Sequence, residues 1–192
     1  MSTETSNSNY NADVVTPISY GYKSITPRIF VKSSADAIEF YKQVFDAIEE
    51  SRYTVPIYKN CMRSEKVIHA VLRIGNSKFL LAGEFPEMCE RPTSAEKIEA
   101  PGSIGGNSVF LSLYFENVDN IFDKAQKQGA TVVMPLMDAF WSDRYGQSKD
   151  PFGNIWEGAT HKKDVSFDSI PNCRDSIVSI VNWRSVSFRD IR

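Results

Sequence analysis

The sequence predicts an α+β fold made of two βαβββ units, and three observations carry that prediction. Residues 25–82 read as strand, helix and three strands, and residues 108–160 read the same way after a Pro- and Gly-rich break. Placing Ala47 on Ala130 brings Ile38 onto Ile121 and sets the two helices in register, so the chain is internally duplicated. Residues 136–161, LMDAFWSDRYGQSKDPFGNIWEGATH, read as a hairpin. Phe140, Trp141 and Tyr145 are strand formers, Asp150-Pro151-Phe152-Gly153-Asn154 supplies turn chemistry, and Ile155 and Trp156 resume the strand.

Taken in order, residues 1–20 are rich in Ser, Thr and Asn and hold no apolar run long enough for a signal sequence or membrane span, so a disordered tail is expected there. From Ile25 to Val31 the pattern is β-like, and Ser33-Ser34 caps a helix whose Ala37, Ile38, Tyr41, Val44 and Phe45 form one apolar stripe. Residues 48–58 are a weaker strand that Pro56 marks as an edge. KVIHAVLR and KFLLA are two further strands joined at Gly75-Asn76-Ser77, where Gly and Asn accommodate positive φ. Residues 84–107, with Pro86, Pro92, Pro101 and three of the ten glycines, link the halves.

The second unit starts at Ser108 with a strand, turns at Glu116-Asn117, and enters the helix VDNIFDKAQKQ, which Gly129 stops. Strands follow near 131–137, 139–147 and 153–160. Beyond His161 the IVSIVNW run is open to three readings: a short strand, a helix docked on the body, or a partner-binding tail.

At 192 residues, 42% hydrophobic and 24% charged, the chain has the size of one globular domain with tails. A net charge of -2 lacks the basic excess that draws proteins to nucleic acid. Cys61, Cys89 and Cys173 are widely spaced and odd in number, which reads as free thiols in a reducing compartment. The expected location is therefore the cytoplasm, with neither nucleic acid nor membrane as partner.

Chemistry-bearing residues gather in the hairpin. Trp141 and Tyr145 can stack on a planar ligand, and Arg144 can meet a carboxylate or phosphate. Asp143 and Arg144 can equally form an ion pair that fixes the hairpin, with Trp141 in the core. Glu157 opens an otherwise apolar strand, either as a solvated outer-face residue or as a functional carboxylate.

The run FWSDRYGQSKDPFGNIWEGATH resembles the closing hairpin of the vicinal-oxygen-chelate superfamily, the glyoxalase, bleomycin-resistance and extradiol-dioxygenase group, in its PhnB-like branch. ITPRIFVKSSADAIEFYKQVFDA, IHAVLRIGNSKFLLAGEFPE and SLYFENVDNIFDKAQKQGATVVMPL join it in the family's order. The resemblance spans residues 24–161, leaving residues 1–23 as a tail and 162–192 as an extension. It implies two βαβββ modules whose curved sheets form an open cup, and a homodimer.

It also implies a divalent metal held by four side chains from the first and a later strand of each module. His69, assigned to the third strand of the first module, and Glu157 suit such positions. Thr26 and either Phe110 or Ser112, in the other two, do not. No tightly bound metal is expected, and weakly held Zn, Ni, Fe or Mn is the alternative. The resemblance thus implies binding of a small planar or anionic organic molecule, as bleomycin-resistance relatives do, by His69, Ser112, Trp141, Arg144, Tyr145 and Glu157; the alternative for His69 is a structural one, a cup-facing or core histidine hydrogen-bonded to Ser112 or Glu157. The competing reading is a metal-assisted lyase, isomerase or dioxygenase with His69 and Glu157 as acid and base.

Overall fold

The computed structural model describes residues 17–55, 66–84 and 98–166. The first module comprises β1 (Arg28–Val31), α1 (Ser34–Phe45), β2 (Ile48–Val55), β3 (Lys66–Ile74) and β4 (Ser77–Gly83). A four-residue helix, α2 (Pro101–Ile104), follows in the link. The second module comprises β5 (Phe110–Tyr114), α3 (Val118–Lys127), β6 (Thr131–Asp138), β7 (Asp143–Lys149) and β8 (Ile155–His161). Each module forms a four-stranded mixed sheet, ordered β1-β4-β3-β2 and β5-β8-β7-β6. In each, the first strand lies parallel to the fourth and the remaining pairs are antiparallel. The fold is the predicted α+β pair of βαβββ modules, and β2 is the edge strand that Pro56 marked, although Pro56 itself lies outside the described residues.

Both helices bury their apolar stripes in one shared core, because α1 and α3 pack on each other as well as on their sheets. Ala37, Ile38, Tyr41 and Val44 of α1 are fully buried, as are Leu72 and Leu81 of the first sheet. The rings of Tyr41, Phe45, Phe79 and Trp156 interlock at centroid separations of 4.8–6.0 Å, so an aromatic cluster from both modules seals the seam between them. Asn117 caps α3 by accepting from the Asn120 N–H at 3.0 Å, and Gly129, at φ +92°, ends it as predicted.

Two expectations are corrected. The strand assigned to 139–147 begins only at Asp143, because Phe140 and Trp141 form the β6–β7 turn. Ser142 there adopts a left-handed φ of 69°, which strand propensity could not anticipate. The turn at 75–77 is shorter than assigned: Ile74 pairs with Ser77, leaving Gly75 and Asn76. Ahead of β1, Lys78 Nζ donates to the Tyr20 carbonyl at 3.4 Å and stands 4.9 Å over the Tyr22 ring. Residues 1–16 and 167–192, with Cys61, Cys89 and Cys173, lie outside the described residues.

Candidate functional site

The outer face of the second sheet carries the candidate site, and strand alternation decides which residues reach it. In β5, Phe110, Ser112 and Tyr114 point outward while Leu111 and Leu113 pack inward. Register then places Ser112 beside Glu157, Glu157 beside Gln147, and Tyr145 beside Ala159 on that same face. A cavity of about 270 Å³ forms there, lined by Ser112, Leu113, Tyr114, Trp141, Asp143, Tyr145, Glu157 and Ala159. A somewhat larger cavity, about 300 Å³, lies between β1, β5 and α2 and contains none of the predicted site residues.

Glu157 is fully engaged. Its Oε1 accepts from the Tyr145 hydroxyl at 2.7 Å and from Gln147 Nε2 at 3.0 Å, and its Oε2 accepts from the Ser112 hydroxyl. Burial, and then the Glu157 carboxylate, push the Tyr145 phenol up to about 12, so Tyr145 remains a neutral donor. The Trp141 ring meets Tyr145 edge-on at 5.4 Å, carried over the sheet by the left-handed turn at Ser142.

A second carboxylate, missed in the sequence, completes this wall. Asp143 is only 3% exposed; its Oδ2 accepts from Trp141 Nε1 at 3.0 Å and from the Tyr114 hydroxyl at 3.1 Å. Partial burial, and then Asp143 and Glu157, raise the Tyr114 phenol above its ordinary value, so this ring is neutral too. Asp143 Oδ1 accepts from His161 Nδ1 at 2.8 Å, and His161 Nε2 lies 3.1 Å from Asp164 Oδ1. Carboxylates at both ring nitrogens, Asp143 first, raise the His161 pKa above 6.5. The folded value being the higher one, the stabilisation is complete below the unfolded imidazole pKa and disappears as pH rises through the folded value. His161→Gln is therefore expected to lower Tm at about pH 5.5 and to have little effect at about pH 9. Equal shifts at both pH values would show that the imidazolium adds nothing.

The remaining predicted residues lie elsewhere. Arg144 alternates with Asp143 and Tyr145, so it turns to the opposite face, where it binds Asp119 at 2.9 Å and approaches Asp138 at 3.7 Å. Its expected pairing with Asp143 does not form: Asp143 is taken by Trp141, Tyr114 and His161. His69 belongs to the first sheet, with its Nδ1 3.5 Å from Arg28 Nη2 and its ring 6.0 Å from Tyr53. Arginine can only donate, so Nδ1 is the acceptor and Nε2 carries the proton. Burial, and then the Arg28 charge, depress the His69 pKa. The expected bond from His69 to Ser112 or Glu157 is absent among the described residues, because Ser112 and Glu157 bind each other.

Strand pairing and helix spacing set the implied metal positions of the two modules side by side. Ser112 pairs with Glu157 and stands six residues ahead of α3; Arg28 pairs with Leu80 and stands six ahead of α1. In the Ser112 register the first-module equivalents are thus Arg28 and Leu80; in the Phe110 register Thr26 keeps its place, eight residues ahead of its helix as Phe110 is, and His69 lies on β3 rather than on the fourth strand. A guanidinium, an isobutyl group, a hydroxyl and a carboxylate already holding three donors do not make a cation site. Among the described residues, no group of three or more His, Cys, Asp or Glu side chains could hold a metal.

Paired βαβββ modules with equivalent first- and fourth-strand positions on an open face define the vicinal-oxygen-chelate class of fold. The chain belongs to the glyoxalase/bleomycin resistance protein/dioxygenase superfamily, whose family model matches residues 22–157. An uncharacterized protein of Mycobacterium tuberculosis is 37% identical over 147 residues, 77% of this chain and 79% of that protein. Among solved structures, a Pseudomonas aeruginosa protein superposes with a TM-score of 0.54 at 20% identity, over 72% of this chain and 98% of that one. A PhnB protein from Bacillus cereus gives 0.52 at 20% identity, over 72% and 99%. At these identities the structural likeness is one of fold, and activity has to be argued from the site.

Proposed function

We propose that this protein binds a small planar organic molecule on the outer face of its second module without a tightly held metal. The observation that supports this reading best is the cavity in which Tyr114, Trp141 and Tyr145 present aromatic surface while Ser112 and Glu157 supply polar anchors. Binding requires only such a wall. Metal-assisted lyase, isomerase or dioxygenase chemistry would need His69 and Glu157 together at a metal, and each is taken up by partners of its own, His69 by Arg28 and Glu157 by Ser112, Tyr145 and Gln147.

The anionic half of the expected ligand class rested on Arg144, which faces Asp119 instead. In this reading the protein works in the cytoplasm as a homodimer, and a second copy covers part of the outward face on which Phe110 and Tyr114 stand 44% and 68% exposed. No helix among the described residues is long and apolar enough to cross a membrane.

A thermal-shift screen against a metabolite library, with and without Zn, Ni, Fe and Mn, tests the proposal. The expected result is stabilisation by a planar compound that needs no metal and drops by about tenfold in affinity in Trp141→Ala, as loss of one stacking ring implies. Stoichiometric metal after purification without chelator, together with turnover abolished by Glu157→Gln, would replace binding with catalysis.

A further inference from the structure

We infer that the pocket on the second module selects a cationic aromatic compound, such as a quaternary ammonium or an amidinium on a flat ring. This rests on the binding reading above and adds the charge of the ligand. Two carboxylates, Asp143 and Glu157, and three neutral rings, Tyr114, Trp141 and Tyr145, line the cavity, and none of its lining residues is basic. The nearest arginine in sequence, Arg144, is held on the far side of the strand by Asp119 and Asp138.

The hydrogen bonds sharpen that preference. The pocket's hydroxyls and the indole N–H already donate to Asp143 or Glu157, so they are not free to solvate an anion. An entering carboxylate would meet two like charges with its donors already committed, a desolvation cost nothing offsets. A cation meets the reverse situation: ring faces with negative quadrupoles, backed by two fixed carboxylates. Among the described residues, His161 is a neighbouring group able to offset this charge. It lies outside the lining, against Asp143 Oδ1, and it leaves Glu157 untouched.

Calorimetric titration of the full chain at neutral pH with N-methylquinolinium, quinoline and quinoline-4-carboxylate varies charge on one ring. The cation is expected to bind about tenfold tighter than quinoline, with the carboxylate weakest. Its affinity should fall between about 50 and about 300 mM salt while that of quinoline holds. Glu157→Gln keeps the side-chain shape and removes one of the two charges, so the gap between the cation and quinoline should shrink from about tenfold to about threefold; Trp141→Leu should shrink it as well by removing a ring face. If quinoline or its carboxylate binds as tightly as the cation, the charge assignment is overturned and the pocket itself stands. If none of the three binds, the binding reading falls and takes this inference with it.

Discussion

Asp150→Ala is expected to lower the free energy of unfolding by about 3–5 kcal/mol, as several hydrogen bonds to one buried carboxylate are lost together. Asp150 is 3% exposed and receives five donors. Its Oδ1 accepts from the backbone N–H groups of Phe152 at 2.9 Å and Asn154 at 2.8 Å, which shapes the β7–β8 turn. Its Oδ2 accepts from Trp156 Nε1 at 2.9 Å, from Asn154 Nδ2 at 3.2 Å, and from the Tyr41 hydroxyl of the other module at 2.7 Å.

Removing the carboxylate strands donors in a site water cannot enter freely, and it unfastens α1 from the second sheet. Tyr41→Phe removes only one donor and keeps the ring, so about 1–2 kcal/mol is expected for it. Burial, and then Asp150, hold the Tyr41 phenol well above its ordinary range, so it is a neutral donor at any pH used for such work. Urea denaturation of the two single variants and the double variant gives the coupling directly. A loss under about 1 kcal/mol for Asp150→Ala would mean that water or a rearranged turn replaces the clamp.

The D-P-F-G-N run shows what was legible in the sequence and what was not. Its turn chemistry was plain, and so were the repeat and both helices, because Gly, Pro and periodic apolar residues act locally. That its Asp reaches across 109 positions to Tyr41 was not legible, since tertiary pairing leaves no local signature. The site divides in the same way. Ser112, Trp141, Tyr145 and Glu157 come together in one pocket, whereas Arg144 and His69 do not, because membership depends on strand parity and sheet identity. Trp141 reached the pocket by a turn that Phe140 and Trp141, both strand formers, disguised.

Asp143 and His161 were within reach, however. Once the turn is fixed at 150–154, pairing Lys149 with Ile155 and counting outward sets Gln147 beside Glu157 and Asp143 beside His161. That Arg28 stands beside Leu80 as Ser112 stands beside Glu157 needed the observed register, because β1 is only four residues long and its start could not be read from alternation.

Beneath that pocket the sheet packs on α3 at two glycines. Gly146 and Gly158 face each other across β7 and β8, and the Phe122 ring of α3 fills the space their missing side chains leave. A Cβ on Gly158 would stand 2.9 Å from both Phe122 Cε2 and Val118 Cγ2, and one on Gly146 would stand 2.9 Å from Phe122 Cζ. Two effects oppose each other in Gly158→Ala. Restricting the unfolded backbone favours the folded state by about 0.5–1 kcal/mol, and overpacking costs about 1–3 kcal/mol. The clash is on two side chains already buried against the sheet, so the net effect is expected to be destabilising.

Phe122→Ala alone is expected to cost about 3–5 kcal/mol, because Phe122 is 4% exposed and leaves a cavity that the flat strands below cannot close. Combining Phe122→Ala with Gly158→Ala should cost less than the sum by about 1 kcal/mol or more, since the added methyl group then enters vacated volume. Strict additivity of the two changes in urea denaturation would place the need for Gly158 in its backbone rather than in the ring that covers it.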